Sequence, residues 1–165
     1  MLLAMLVLGS LAVLGTLTAM SVQGSTASAS THRFHGIAVY AAESGGAAAM
    51  AYLRGQVHPT LGFSAFVSPS NATPISPAGI SGNNVAPGAM GNPFSSDMQA
   101  WYSVVVLNNR SDSGFTIGKD ADTTIRIHVT GYGPEGAVAS VEWEVKADPS
   151  GVPKPFTLLG WRQHL

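Results

Sequence analysis

The chain contains no cysteine. Disulfide bridges, thiolate metal sites and cysteine nucleophiles are therefore excluded. Charge is scarce as well. Asp, Glu, Lys and Arg make up 10% of the 165 residues, against 45% hydrophobic residues, where a typical domain is about one quarter charged. The net charge is −1, so there is no basic excess to meet nucleic acid. No G-x-S-x-G stretch occurs, and no His/Asp pair stands near one of the many serines. These absences speak against an enzyme. What remains is a structural or binding protein of one-domain length.

The few charges are unevenly placed. None precedes Arg33, and none lies between Arg54 and Asp97. The chain divides accordingly. Residues 1–24 are apolar and 25–55 are rich in small residues. Residues 56–98 are a Pro/Gly-rich connection, and 99–165 carry most of the charge.

Met1–Met20 reads MLLAMLVLGSLAVLGTLTAM, with Ser10, Thr16 and Thr18 as its only polar residues. As a helix it would rise about 30 Å, enough to cross a bilayer core. STASAS (Ser25–Ser30) resembles a small-residue cleavage site, which raises the rival reading of a signal peptide. A signal peptide needs a basic n-region, and no Lys or Arg precedes this apolar run. A retained anchor is the favoured expectation; a wholly buried helix would also be apolar all round. Met1 is either an initiator or the residue left after removal of a short charged leader.

After Met20 the chain crosses SVQGSTASAS, where Gly24 alone costs a helix about 1 kcal/mol. It then enters THRFHGIAVYAAESGGAAAMAYLRG. Phe34, Ala38, Ala41, Gly45, Ala48 and Tyr52 recur at helical spacing, and Gly55 is a natural stop. A continuous helix to Arg54 would be roughly 80 Å long at 1.5 Å per residue. One domain of this size cannot bury such a rod.

Gln56–Asp97 holds six prolines, separated by Gly, Ser and Asn. That predicts a long irregular connection. Phe63, Phe66, Val67, Ile75, Ile80, Val85, Met90 and Phe94 are its candidate anchors. Strand patterns follow. Trp101–Leu107 is β-branched and aromatic. Ile125–Tyr132 alternates, with Ile125, Ile127 and Val129 opposed to Arg126, His128 and Thr130. Ala137–Lys146 alternates too, with Ala139, Val141, Trp143 and Val145 opposed to Ser140, Glu142, Glu144 and Lys146. Between them, Gly133-Pro134-Glu135-Gly136 predicts a type I turn starting at Pro134, with Gly136 left-handed. The loop pairs Gly133 with Ala137, which sets Arg126 opposite Glu144 and His128 opposite Glu142 on the polar face. Pro149, Pro153 and Pro155 break the chain before a last short strand, Phe156–Trp161. The fold class expected is α+β, a long N-terminal helix packed on a C-terminal antiparallel sheet.

Chemistry-bearing residues are few. His32 and His35 share a helix face but lack a third ligand. Asp112, Asp120 and Asp122 lie in a loop between strands. Carboxylates there can bind calcium, but the spacing matches no standard calcium loop and reads first as a solvated turn. Asn71-Ala72-Thr73 and Asn109-Arg110-Ser111 match the glycosylation sequon.

The apolar start, the small-residue helix carrying YAAESGGAAAMAYL, and the β-rich end resemble the type IV pilin architecture. Arg33–Leu53 is most similar to the PilX-type minor pilins, in which an A-x-x-A-A-E-[AS]-G stretch occupies this place; here it is Ala38–Gly45. TGYGPEGAVASVEWEV (Thr130–Val145) and LLGWRQ (Leu158–Gln163) also resemble that group. The resemblance implies a structural subunit of a type IV pilus, with major and minor pilins and a tip adhesin as partners and no cofactor. It implies residence in the bacterial inner membrane before assembly and in the extracellular pilus afterwards. A mature N-terminus at Met1, open to N-methylation, is implied as well. Most pilins carry a glutamate at the fifth mature position, where this chain has Met5; that departure is similar to tip or priming subunits.

On this reading Met1, Met5, Gly9, Gly15, Glu43, Gly45 and Gly46 are the assembly and helix-packing candidates, because small residues let helix backbones approach. The Ser21–Ser30 stretch is a candidate for local unwinding. The alternatives are a pseudopilin of a type II secretion system and a single-pass anchored extracytoplasmic binding domain that does not polymerise.

Overall fold

The computed structural model describes residues 2–150 and 155–164, and for residues 2–10 and 12 the backbone only. Met1 and Pro153 thus lie outside the described residues, as do the side chain of Met5 and the surroundings of Gly9. One helix, α1 (Leu2–Arg54), is followed by four strands. These are β1 (Trp101–Asn108), β2 (Thr124–Tyr132), β3 (Val138–Ala147) and β4 (Phe156–His164). The chain forms two compact units, residues 1–34 and 35–165.

The first unit is helix throughout its described length. The expected unwinding at Ser21–Ser30 is not seen. Two hydroxyls there and one just after it bond back to the helix: Ser25 and Thr26 both donate to the carbonyl of Val22, and Thr31 donates to that of Ala27. Such back-bonding lets Ser and Thr sit inside a helix with no partner outside it. Leu11, Val13, Leu14, Leu17, Met20 and Val22 are exposed. Among the described residues, no helix is long and apolar enough to cross a membrane. The anchor expectation rests on residues 1–20, most of whose first half is described by backbone alone.

The second unit contains the last turns of α1 and the sheet. The sheet is an antiparallel meander in the order β1-β2-β3-β4. Its inner face is the expected one. Val104, Val106, Ile125, Ile127, Val129 and Val141 are all fully buried, because side chains two apart share a face. The β2–β3 register pairs Arg126 with Glu144 and His128 with Glu142, as the loop length requires.

The turn that sets this register is not the expected type. Glu135 (φ 54°, ψ 29°) and Gly136 (φ 75°) both adopt left-handed backbone, and the Ala137 N–H bonds the Pro134 carbonyl at 3.0 Å. That is a type I′ turn centred on Glu135-Gly136. Its twist matches the flanking strands, whereas a type I turn would splay them.

The Pro-rich connection contains no strand. It runs along the outer edge of β1, where the Val106 N–H donates to the Ile75 carbonyl at 2.8 Å and the Val104 N–H donates to Asn83 Oδ1 at 2.8 Å. An edge whose backbone groups are satisfied in this way is closed to further strands. Phe63, Val67 and Ile80 anchor the segment in the core, with Phe66 and Phe94 packed beside it. Met90 does not; it is fully exposed.

Candidate functional site

Two places in residues 35–165 are built with more care than a generic core needs. The first is the helix–sheet contact. The buried face of α1 is Ala38, Ala41, Ala42, Gly45, Gly46, Ala49 and Leu53. It is turned slightly from the stripe expected, since Ala48 and Tyr52 are only partly buried.

A Cβ added at Gly45 would lie 2.7 Å from Val129 Cγ1 and 2.8 Å from the Tyr102 ring. One added at Gly46 would lie 3.0 Å from the Trp143 ring. At Gly131 in β2, a Cβ would strike the Ala38 carbonyl and the Ala42 N–H, both helix backbone. Helix main chain therefore rests on sheet main chain, and the helix is thin because nothing wider fits. Gly in a strand interior commonly marks such an approach.

This corrects one expectation. Gly45 and Gly46 are occupied by this chain's own sheet and are not free to meet a neighbouring helix. Glu43 lies on the opposite, exposed side. Gly15 has nothing within 4 Å of an added Cβ, so its helix cost of about 1 kcal/mol has no offset among the described residues.

On the outer face, Arg126 is opposite Glu144 in register, but its ion pair is diagonal. Nη1 meets Glu142 Oε2 at 3.3 Å, while Nε and Nη2 donate to the Asn108 carbonyl at 3.3 and 3.2 Å. The carbonyl draws the guanidinium toward β1, and diagonal neighbours are within reach of a long side chain. His128 is held below its ordinary pKa, chiefly by burial; His164 and Arg126 add to the effect and Glu142 opposes it.

The second place is the β1–β2 loop. Asp112, Asp120 and Asp122 each offer an oxygen within 4.8 Å of the others. A solvated turn was the expectation, yet Asp112 and Asp120 are buried. Asp112 takes the N–H groups of Gly114 and Ala121 at 2.5 and 2.8 Å. Burial pushes its carboxyl up, but these hydrogen bonds outweigh that and hold it below the usual range. Asp120 Oδ2 takes the N–H of Phe63 at 2.6 Å, from the segment just after the helix. Its pKa is raised, first by burial and then by repulsion from Asp112 and Asp122, against the Phe63 N–H that bonds it and the nearby Thr123 N–H. Asp122 accepts from the Asn109 side-chain amide at 2.8 Å and from the Thr124 N–H at 2.9 Å.

Asn109 is itself buried, so its sequon is not an accessible glycosylation acceptor; Asn71 is exposed. His32 and His35 gain no third ligand among the described residues, where the acidic triple is the one cluster suited to a metal.

Sequence reasoning named the three aspartates but missed Asn109 as their companion and Gly131 as the helix seat. An isolated Gly inside the alternating β2 pattern was the available signal for the latter. Neither protein-family models, nor curated proteins, nor solved structures give a match to this chain.

Proposed function

We propose that this chain is a structural subunit, of the minor pilin kind, of a type IV pilus, incorporated by helix-bundle polymerisation. One observation carries the reading. A single helix seats its last turns on an antiparallel sheet through an Ala/Gly face, while its earlier turns expose Leu11, Val13, Leu14, Leu17, Met20 and Val22. Exposed apolar surface on this scale needs a partner.

In this reading the inner membrane covers it before assembly and neighbouring pilin helices cover it afterwards. Moving from lipid to protein gains little hydrophobic energy, so close packing supplies the stability. Gly15, which has no packing partner among the described residues, and Gly9 are the points of approach. Major and minor pilins and a tip adhesin are the partners.

The test is incorporation. Gly9→Leu and Gly15→Leu variants are expressed in the native cell, and the subunit is counted in purified filaments and in the membrane pool. Incorporation should fall several-fold while the tryptophan emission of the sheet stays native. Undiminished incorporation of both variants, or confinement of the wild-type chain to the membrane, would mean that the helix is only a tether. The anchored binding domain would then be the better description. Co-purification with a secretion pseudopilus would move the chain to that assembly.

A further inference from the structure

We propose that Asp112, Asp120, Asp122 and the side-chain oxygen of Asn109 form a calcium-binding site that clips the β1–β2 loop to the segment following α1. The inference is independent of the pilus reading. It begins from unsatisfied atoms rather than from acidity. Among the described residues, three buried side-chain polar atoms have no hydrogen-bond partner, and two of them are here: Asn109 Oδ1 and Asp120 Oδ1. Asn109 is 3% exposed and Asp120 is 7% exposed. Native proteins pair nearly all such atoms, and leaving one unpaired costs its desolvation.

Asn109 belongs to the same cluster, since its amide nitrogen donates to Asp122 Oδ2 at 2.8 Å. A loop that served only to turn the chain would have no use for a buried, partnerless amide oxygen on a residue bonded to one of its carboxylates. The carboxylates also lack a counter-charge. Both ion pairs among the described residues are on Glu142, and neither reaches Asp112, Asp120 or Asp122.

The donor set selects the ion. All donors are oxygen, with no His or Cys in the cluster, which suits hard cations. Size then decides between the common ones. Calcium binds oxygens at about 2.3–2.6 Å, so ligands facing each other across it stand up to about 5 Å apart. Magnesium binds at about 2.0–2.1 Å in a strict octahedron, which limits that distance to about 4.2 Å. The three carboxylate oxygens all lie within 4.8 Å of one another, a bound that fits wholly inside calcium's span but is wider than magnesium's. Four protein oxygens leave room for water to complete the six to eight that calcium takes.

The ion would join three pieces of chain. Asn109 lies at the end of β1, and the aspartates lie in the loop that follows. Asp120 is tied to the connection after α1 through the Phe63 N–H, and its own N–H donates to Ser64 Oγ at 3.0 Å.

The test uses the full chain in neutral detergent, first stripped with a chelator. CaCl2 and, separately, MgCl2 are titrated by calorimetry, and thermal unfolding is followed by tryptophan emission. Calcium should bind at one site per chain and raise Tm by roughly 5–10 °C at a hundredfold excess over Kd; magnesium should do neither. Asp120→Asn keeps an acceptor for the Phe63 N–H. It should weaken calcium binding at least tenfold, yet melt in chelator no lower than wild type, since it removes one of three like charges. Asp122→Asn should also weaken binding. A folded wild-type chain that takes up no calcium, equal binding of magnesium, or unchanged affinity in both variants would each overturn the assignment.

Discussion

Replacing Gly131 with Ala adds one methyl group to the strand directly beneath the helix. Strand propensity favours the change, because Gly weakens a strand interior. The geometry opposes it. The new Cβ would overlap the Ala38 carbonyl and the Ala42 N–H, and backbone cannot rotate away as a side chain can. Ordinary contacts stand at about 3.5–4.0 Å, so the helix would have to retreat by an ångström or so. A gap of about that size forfeits a quarter to a half of each dispersion contact along the face. Ala38, Ala41, Ala42 and Gly45 would all lose packing.

Overpacking typically costs 1–3 kcal/mol, and a rigid neighbour places Gly131→Ala near 3 kcal/mol. Gly45→Ala meets the Val129 and Tyr102 side chains, which can yield. It also regains about 1 kcal/mol of helix propensity, so a net loss of up to about 2 kcal/mol is expected. Gly15→Ala, with open space around it, is the control and should not move the transition of the sheet.

Trp101, Trp143 and Trp161 all lie in the strands, so tryptophan emission during urea or thermal unfolding of the full chain in detergent reads this unit. A drop in Tm of roughly 10 °C for Gly131→Ala follows from the usual conversion. If Gly131→Ala and Gly45→Ala both fall within about 0.5 kcal/mol of wild type, the range of neutral surface changes, the main-chain seat is wrong.

Two further outcomes concern the hairpin and the outer face. Glu135 holds a left-handed conformation that costs a non-glycine residue about 1 kcal/mol. Glu135→Asn places the favoured Asn-Gly pair in the type I′ turn and should raise stability by about 0.5–1 kcal/mol. An unchanged urea midpoint would mean that Glu135 carries no such strain. His128 has a depressed pKa in the folded chain, so the unfolded chain binds the proton more readily. Its contribution is therefore intact above the unfolded value of about 6.5 and is lost as pH falls through that value toward the folded one. The Tm should drop between pH 7.5 and pH 5, and His128→Gln should flatten that slope; identical slopes in the two proteins would assign the effect elsewhere.

Much of the sheet was legible because its information is local. Alternation in Ile125–Val145 shows which side chains share a face, and the length of the Gly133–Ala137 loop sets the register without reference to the rest of the chain. The turn type was harder to read. Pro134 advertises a type I start, but strand twist overrides it by moving the turn one residue on.

The helix was legible as a helix, though not in its rotation. Ala48 and Ala49 are indistinguishable by hydrophobicity, and the choice is made by Gly131 and Trp143 far along the chain. The acidic loop was misjudged for a related reason. Spacing along the chain shows that Asp112, Asp120 and Asp122 can meet. It does not show that Phe63 and Ser64 fold back over them, and the burial of Asp112 and Asp120 is what turns ordinary carboxylates into a constrained group. Met90 failed as an anchor because its side chain, apolar as it is, lies in a loop that already has Phe63, Val67 and Ile80 to hold it.

The meander also orders events in time. Each strand pairs with its sequence neighbour, so the sheet can zip together from adjacent hairpins, starting at the tight β2–β3 turn. The helix seat is different: residues 38–53 must wait for partners spread over residues 102–145. Helix synthesis is complete before the first strand exists, and the docking step closes the longest loops in the unit. Long-range closure of this kind comes at the greatest entropic cost and tends to be late. An Ala/Gly stripe is a benign surface to leave uncovered during that wait. It offers little apolar area to stray chains or to a chaperone, where a Leu stripe of the same length would be an adhesive.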